Sequence, residues 1–185
     1  MKKLLFLCQY ILRPRTVGAL MPSSSFLAEK MLDDINFKTA NTIIEYGPGT
    51  GVFTEKLLEL KLPTTKIILV EKNDKFYNDL IKKFGDNHSV TIINDSAESI
   101  IKYLEEFGID NVDYVISGLP FTSLPLNVSK TILLNTKKIL ADQGKFVTFQ
   151  YTQRKMKFIN TYFKNIAIKR EYRNLPPAYV LSCNN

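Results

Sequence analysis

A short apolar run followed by three glycines at alternate positions constrains the fold of this chain more than any other stretch. Ile43 and Ile44 predict a buried strand that ends near Glu45, and the glycines are Gly47, Gly49 and Gly51. Residues 52–60 then have the apolar spacing of a helix. Glycines at a strand–helix turn let the backbone bend sharply and let a ligand approach it closely. The stretch therefore predicts a ligand-binding turn in an α/β protein.

The glycine spacing and two acids narrow the class of ligand. A dinucleotide fingerprint needs a glycine where Val52 stands, and no Gly-Lys-Ser/Thr follows to make a phosphate loop. Glu45 would repel a diphosphate and attract a cation. Glu71 ends the next apolar run twenty positions after Gly51, where a ribose-binding carboxylate belongs. The pattern predicts S-adenosylmethionine, which carries an ammonium and a sulfonium; the alternative is a structural turn with two solvated acids.

Strands and helices alternate along the rest of the chain. The predicted strands cover residues 43–45, 67–70, 90–94, 113–117 and 145–151, and a hairpin of residues 166–172 and 178–183 closes the chain. The predicted helices cover residues 26–35, 52–60, 74–84, 97–107, 127–140 and 154–163. We expect Gly144 to stop the helix of residues 127–140. This order predicts a mostly parallel sheet with helices on both faces and an antiparallel hairpin at its end. We expect a helical segment over residues 1–35 and a cofactor-binding domain over 36–185.

Composition limits the partners. The 185 residues have a net charge of +7, and residues 1–28 carry +4 and residues 151–185 carry +6, which leaves −3 between them. Basic ends suggest an anionic partner, either lipid headgroups or nucleic acid, although solubility alone also explains them. The two cysteines, Cys8 and Cys183, have no metal-ligand spacing, so we expect no metal and a reducing, cytoplasmic location.

The N-terminal residues form an amphipathic pattern. Residues 4–12 place apolar side chains on one helical face and basic ones on another, which suits either a membrane interface or packing on the domain. Gln9 and Arg13 argue against a secretion signal. We therefore expect a cytoplasmic protein, peripheral on the inner membrane face. Residues 23–25, three serines, can cap a helix or bind an anionic group.

Candidates for proton transfer are few. His88, the only histidine, lies in a polar loop that enters the third strand, so we predict a solvated residue away from the site. Tyr10, Tyr151 and Tyr179 are conceivable hydrogen-bond partners of an amine, and the sequence does not choose among them. Asp95, after the third strand, either accepts a hydrogen bond from adenine or caps the following helix.

At residues 45–51 the chain resembles class I S-adenosylmethionine-dependent methyltransferases, and more particularly the bacterial phospholipid N-methyltransferases. The more particular resemblance rests on residues 13–25 (RPRTVGALMPSSS), 116–121 (ISGLPF) and 173–178 (RNLPPA). It implies a Rossmann-like class I methyltransferase fold with a seven-stranded sheet. It also implies methylation of the amino group of phosphatidylethanolamine, or its partly methylated forms, at an anionic membrane surface.

The resemblance also implies roles for individual residues. The cofactor-binding set is Met21, Ser24, Glu45, Gly47, Gly49, Gly51, Glu71, Lys72, Asp95, Ser96, Ser117, Gly118 and Leu119. Within it, Glu45 and the glycines hold the methionine end, Glu71 the ribose, and Asp95 with Ser96 the adenine. Phe121, Tyr10 and Tyr151 are the candidates for contact with the reacting amine.

Ribosomal RNA adenine dimethyltransferases are similar through the same region. Their Asn-Leu/Ile-Pro-Tyr/Phe motif uses an asparagine to hold the target amino group, and Gly118 stands at that position here. The lipid substrate is therefore favoured over RNA, although Phe121 leaves stacking on a base open. A methyltransferase of soluble small molecules and a non-catalytic cofactor- or RNA-binding module remain further alternatives.

Overall fold

The computed structural model describes residues 24–152 and 156–185. The predictions on Tyr10, Met21 and the amphipathic helix of residues 4–12 lie outside the described residues, as does the start of the helix predicted from residue 154.

Seven strands form one sheet in the order β3-β2-β1-β4-β5-β7-β6. They are β1 (Thr42–Tyr46), β2 (Lys66–Val70), β3 (Val90–Ile93), β4 (Val112–Ser117), β5 (Leu140–Gln150), β6 (Asn165–Glu171) and β7 (Ala178–Asn184). The first five pair in parallel, and β7 pairs antiparallel with both β5 and β6. The predicted seven-stranded sheet with a terminal antiparallel hairpin is confirmed.

The helices cover both faces of the sheet. They are α1 (Ser25–Leu32), α2 (Val52–Leu60), α3 (Asp74–Phe84), α4 (Ile100–Glu106), α5 (Leu126–Ile139) and α6 (Met156–Asn160), and a short 3-10 turn, Ala97–Ser99, precedes α4. Alternate residues of β1 point to opposite faces, so Ile43 packs with α1, α2 and α3, and Ile44 packs with α4 and α5. The two apolar layers fix the position of the strand ends between them.

The end of α5 differs from the sequence prediction. The helix stops at Ile139 because Leu140 is already extended, and Gly144 lies inside β5 rather than after a helix. A Cβ at Gly144 would come within 2.9 Å of the Ala141 carbonyl oxygen and 3.0 Å of the Val112 carbonyl oxygen. This glycine permits a close backbone approach beside an irregularity in the pairing of β4 with β5.

The first described helix packs on the sheet. Leu27, Ala28, Met31 and Leu32 of α1 are buried in the same apolar layer as Ile43. The helix therefore shares an apolar layer with the sheet that follows it. The predicted boundary between residues 35 and 36 remains an expectation. In the described ranges, no helix has the length and apolar character needed to cross a membrane.

Candidate active site

The candidate site lies where the strand order reverses, between β1 and β4. The loops that leave the carboxyl ends of these strands are joined by a hydrogen bond of 2.8 Å from the Gly118 amide to the Tyr46 carbonyl oxygen. On the other side, the Gly47 amide donates to the Val70 carbonyl oxygen of β2 at 2.9 Å. Ligands of such sheets bind at this kind of switch point. The structure therefore brings the glycine turn, the acid after β2 and the 117–119 segment to one edge.

The three glycines of the turn have different surroundings. Gly49 has a φ of +56°, and a Cβ built there would meet no atom within 4 Å, so this backbone faces open space. A Cβ at Gly51 would lie 2.8 Å from Phe84 of α3, so Gly51 lets α2 and α3 pack closely. A Cβ at Gly47 would lie 2.8 Å from the side chain of Leu119. Gly49 is thus the glycine that a ligand can approach.

Glu45 lies within β1, and its side chain is buried against α2. Its side chain is fully buried, and Oε2 accepts a hydrogen bond of 2.6 Å from the Thr54 hydroxyl of α2. Oε1 has no hydrogen-bond partner among the described residues. The pKa of Glu45 is raised to about 8, mainly by burial; the Thr54 hydrogen bond opposes this shift, and the charge of Glu71 adds to it. A cation near Oε1 would favour the ionised form.

Glu71 is also nearly buried, and it holds the glycine turn. Its Oε2 accepts from the Gly49 amide at 3.0 Å, and its Oε1 accepts from the Asn73 amide at 2.8 Å. Burial raises the pKa of Glu71, and these backbone hydrogen bonds partly offset the rise. Each carboxylate oxygen has a second lone pair, so the observed contacts leave acceptor capacity for a ligand hydroxyl. Lys72, the next residue, has an exposed side chain.

Asp95 follows β3 at the same edge and is half-buried. Its Oδ1 accepts from the Ser96 amide at 2.6 Å, and its Oδ2 accepts from the Tyr103 hydroxyl at 3.0 Å. The Ser96 hydrogen bond is the main reason that the pKa of Asp95 lies below its usual value. The helix cap is Ser96, whose Oγ accepts from the Glu98 amide, so the alternative that Asp95 caps this helix is wrong.

The 117–119 segment closes the site from the β4 side. Ser117 is fully buried, and its Oγ accepts from the Leu119 amide at 3.2 Å. A Cβ at Gly118 would lie 2.7 Å from the Gly47 carbonyl oxygen, so a side chain has no room there. Phe121 is fully buried and packs edge-on against Phe146, with ring centroids 6.1 Å apart. These are the contacts of a core residue, and the role of Phe121 in the reaction stays a prediction.

Two of the tyrosine candidates lie at this edge. Tyr151 follows β5, is half-buried and packs edge-on against Phe149 at 5.4 Å. Tyr179 is on the neighbouring strand β7, opposite Gln150, and the Arg170 guanidinium lies 4.9 Å from its ring centroid. Their register places both side chains near the end of β5. His88 is exposed in the loop before β3, as predicted.

Ser24 caps α1 and is not free to hold a separate anion. Its Oγ accepts from the Leu27 amide and donates to Asn174 Oδ1 at 2.8 Å. Asn174 is 4% exposed and lies in the loop between β6 and β7. The predicted helix cap is therefore present, and it ties α1 to the terminal hairpin.

Three features of this edge were missed in the sequence. Thr54 fixes the Glu45 carboxylate, and only its position one turn into α2 hinted at this contact. Gln150 is 3% exposed, and its Nε2 has no partner within the described part of the chain. Arg173 makes a two-point contact with Glu171, at 3.0 Å from both Nε and Nη2, and hydrogen bonding to this arginine lowers the pKa of Glu171 to about 2.

The described residues contain no group of three or more His, Cys, Asp or Glu side chains that could hold a metal ion. Cys183 is buried and unpaired, and burial raises the pKa of its thiol to about 12.

A doubly wound sheet with a glycine turn after β1, an acid near the end of β1 and a second acid directly after β2 defines a Rossmann-like S-adenosylmethionine-dependent methyltransferase. The comparisons agree. The ribosomal RNA adenine dimethylase family matches residues 23–156, and the chain belongs to this family. The protein is thus an enzyme of the methyltransferase class, and its cofactor is S-adenosylmethionine.

Individual relatives differ in how much of them the chain covers. It is 28% identical to an ornithine lipid N-methyltransferase of Singulisphaera acidiphila, over 97% of this chain and 94% of that protein. It is 33% identical to ribosomal RNA small subunit methyltransferase A of Dehalococcoides mccartyi, over 53% of this chain but only 32% of that protein. The chain therefore matches the lipid enzyme end to end and the RNA enzyme in part.

Solved structures support the fold. CurJ carbon methyltransferase superposes with a TM-score of 0.66 at 16% identity, over 87% of this chain and 54% of that one. Precorrin-6y C5,15-methyltransferase of Geobacter metallireducens superposes with a TM-score of 0.65 at 16% identity, over 85% and 86% of the two chains. At this level of identity the likeness concerns the fold alone.

Proposed function

We propose that the enzyme transfers a methyl group to the amino group of a membrane lipid, either phosphatidylethanolamine, with its partly methylated forms, or an ornithine lipid. The observation that carries the proposal is the contact between Gly118 and Gly47. A side chain at position 118 would meet the Gly47 carbonyl oxygen at 2.7 Å, so the asparagine that orients a base amine in similar RNA enzymes has no room here. The end-to-end likeness to an ornithine lipid N-methyltransferase supports the same substrate class.

Several observed features suit S-adenosylmethionine. The unpartnered Oε1 of Glu45 is a buried acceptor at the switch point, and it suits a bound ammonium or a water molecule next to one. The open face of Gly49 leaves room for a ligand against the backbone. Glu71 has acceptor capacity for ribose hydroxyls, and Asp95 with Ser96 offers polar atoms at the next strand end. When bound, S-adenosylmethionine supplies a methyl group on a sulfonium, with a neutral thioether as the leaving group.

The chain's own contribution is alignment and exclusion of water. An in-line displacement needs the two reacting centres to be held in line, and a rigid loop lowers the entropic cost of doing so. Ser117, Gly118 and Leu119 form such a loop, because backbone hydrogen bonds join it to β1 and to the Ser117 side chain. The amine must be neutral to react, and Tyr151 and Tyr179, near the end of β5, have hydroxyl groups of the kind that accepts a hydrogen bond from an amine.

Methylation of adenine in ribosomal RNA is the second candidate, because the family match covers residues 23–156 and because RNA methyltransferases are among the relatives. A small-molecule acceptor is the remaining alternative. Each predicts a different labelled fraction in one experiment.

The experiment uses S-adenosylmethionine labelled in its methyl group. The full-length protein is incubated with vesicles that contain phosphatidylethanolamine and ornithine lipid and with total RNA, and the organic and aqueous phases are then counted. We expect label in the organic phase, in lipids with a methylated amine. Label confined to RNA, or no label in either fraction despite donor binding, would contradict the proposal.

A further inference from the structure

The large apolar side chains that are most exposed in the described residues lie on one edge of the molecule. Leu175, Tyr172 and Leu126 are 84%, 68% and 62% exposed. Glu171 pairs with Ala178 and Gln150 with Tyr179, so the loop of residues 172–177 lies at the carboxyl end of β5. Leu126 starts α5 after the loop that leaves the carboxyl end of β4. All three therefore lie on the edge that carries the glycine turn.

The 172–177 loop holds Leu175 outward and Asn174 inward. Asn174 points inward, where its Oδ1 accepts from Ser24 and its Nδ2 donates to the Pro176 carbonyl oxygen at 2.8 Å. The usual arrangement, a polar residue outside and an apolar one inside, is reversed at these two positions. Because the inward asparagine is fully hydrogen-bonded, the loop presents the leucine from a fixed backbone. An apolar side chain held in this way suits an apolar partner.

Two arginines lie beside the same loop, and one of them, Arg173, is paired with Glu171. The Arg170 guanidinium lies 4.7 Å from the ring centroid of Tyr172 and 4.9 Å from that of Tyr179, and it forms no ion pair with a carboxylate of the described residues. Arg173 lies 4.3 Å from the ring centroid of Phe26, which is itself 41% exposed. Tyrosine, arginine and a protruding leucine together are typical of surfaces that enter the headgroup region of a bilayer.

We propose that the loop of residues 172–177, with Arg170 and Leu126, is the surface that docks this enzyme on an anionic phospholipid bilayer. Leu175 enters the boundary between headgroups and acyl chains, Tyr172 lies at the headgroup level, and Arg170 contacts lipid phosphates. Docking by this edge turns the glycine turn and the 117–119 segment toward the lipid amines. This orientation of the site toward lipid amines rests on the proposed function. Nucleic acid fits less well, because an exposed leucine adds nothing to binding of a phosphate backbone.

Vesicle binding of the full-length protein tests the docking surface. Flotation with vesicles of phosphatidylethanolamine and phosphatidylglycerol is measured for the wild type, Leu175→Asp and Arg170→Gln, with Leu62→Asp as the control. Leu62 is 42% exposed and lies before β2, at the opposite edge. We expect the partition coefficient to fall about tenfold for Leu175→Asp, the value expected for loss of one buried leucine. A smaller fall is expected for Arg170→Gln, and none for Leu62→Asp.

Two results would overturn the proposal. One is unchanged flotation of Leu175→Asp, and the other is an equal loss for Leu62→Asp. If Leu175→Asp binds vesicles normally but binds a ribosomal RNA fragment more weakly, the surface belongs to RNA and the proposal is wrong. Thermal unfolding checks that each variant is folded, and Arg170→Gln provides a second variant if Leu175→Asp is unstable.

Methyl transfer to lipid dispersed in detergent separates this proposal from the proposed function. If docking is the role of Leu175, Leu175→Asp keeps the wild-type rate in detergent and loses rate only on vesicles. If the wild type methylates no lipid in either form, the proposed function fails. Vesicle binding that depends on Leu175 would still support the docking surface.

Discussion

The Gly49 amide donates a hydrogen bond of 3.0 Å to Oε2 of Glu71, so the acid after β2 holds the glycine turn after β1. Glu71 also accepts from the Asn73 amide, which fixes the carboxylate at the end of its own strand. The two parts of the predicted cofactor site are therefore joined before any ligand binds. We infer that Glu71 has two tasks, positioning the turn and offering acceptor capacity to a ligand.

Glu71→Gln tests these two tasks. The amide keeps one oxygen that can accept from Gly49 but loses the second acceptor and the charge, so we expect a folded protein with weaker donor binding. The expected loss of affinity is about 10–100-fold, the range for removal of a charged hydrogen-bond partner. Calorimetric titration with S-adenosylmethionine measures it. Glu105→Gln, on the exposed surface of α4, is the control. Unchanged affinity of Glu71→Gln would show that this carboxylate does not contact the donor.

Glu45 gives the enzyme a dependence of stability on pH. Its pKa is about 8 when folded, against an ordinary value of 4.5, so between these values the folded state holds a proton that the unfolded state has lost. The free energy of unfolding therefore falls as pH rises from 4.5 to 8, by at most about 1.4 kcal/mol per pH unit. Glu45→Gln removes this contribution and should be the more stable protein at pH 8. Denaturant titrations at pH 5.5 and pH 8 check this, and an identical pH slope in the two proteins would contradict it.

The affinity for the donor should also depend on pH through Glu45, but it should rise with pH where the free energy of unfolding falls. If the ionised form of Glu45 interacts with the donor's ammonium, the affinity for the donor rises with pH up to about 8. The variant Glu45→Ala should then not bind the donor. Titration calorimetry at pH 6 and pH 8 measures the change. An affinity that does not vary with pH in the wild type, or that survives in Glu45→Ala, would exclude Glu45 from the site.

Gly118→Asn introduces the residue that similar RNA enzymes have at this position. The new Cβ would lie 2.7 Å from the Gly47 carbonyl oxygen, so the two loops must separate. We expect a loss of about 1–3 kcal/mol in the free energy of unfolding, by analogy with overpacking, and weaker donor binding, without methylation of RNA. Denaturant titration and the labelled-donor assay measure both. Appearance of labelled RNA would show that the glycine, and not the rest of the site, decides the substrate.

Arg173→Ala should loosen the loop that carries Leu175. Hydrogen bonding to Arg173 keeps the pKa of Glu171 at about 2, so the pair contributes stability above pH 4.5 that is lost as pH falls toward 2. The difference in unfolding free energy between wild type and Arg173→Ala should therefore shrink in acid. Arg170→Ala is the control, since Arg170 forms no ion pair with a described carboxylate. A difference that is constant between pH 7 and pH 3 would contradict this account.

Much of the fold could be predicted from local sequence. The boundaries of α2 and α3 agree with the predicted 52–60 and 74–84, because apolar spacing and an asparagine cap mark them clearly. The end of α5 could not be predicted, since Gly144 looks like a helix stop and only the approach of Val112 explains its position in a strand.

The site was predictable as a set of residues but not as an arrangement. Strand alternation brings Glu45, Glu71 and Asp95 to one edge, and this follows from sequence. That Glu45 is fully buried, held by Thr54 and left with an unpartnered oxygen depends on how α2 packs on the sheet. The link from Asn174 to Ser24 spans 150 positions, and no local pattern indicates it.

Donor binding by two glycine variants tests the central claim most directly. Gly49 and Gly108 have similar φ angles of +56° and +64°, and a Cβ at either meets no atom within 4 Å. Valine at either position should therefore cost similar backbone strain, of roughly 1–3 kcal/mol, but only Gly49 faces the candidate site. In calorimetric titrations with S-adenosylmethionine, we expect Gly108→Val to bind like the wild type and Gly49→Val to show no binding. Equal affinity of the two variants would contradict the claim that the donor lies against this turn.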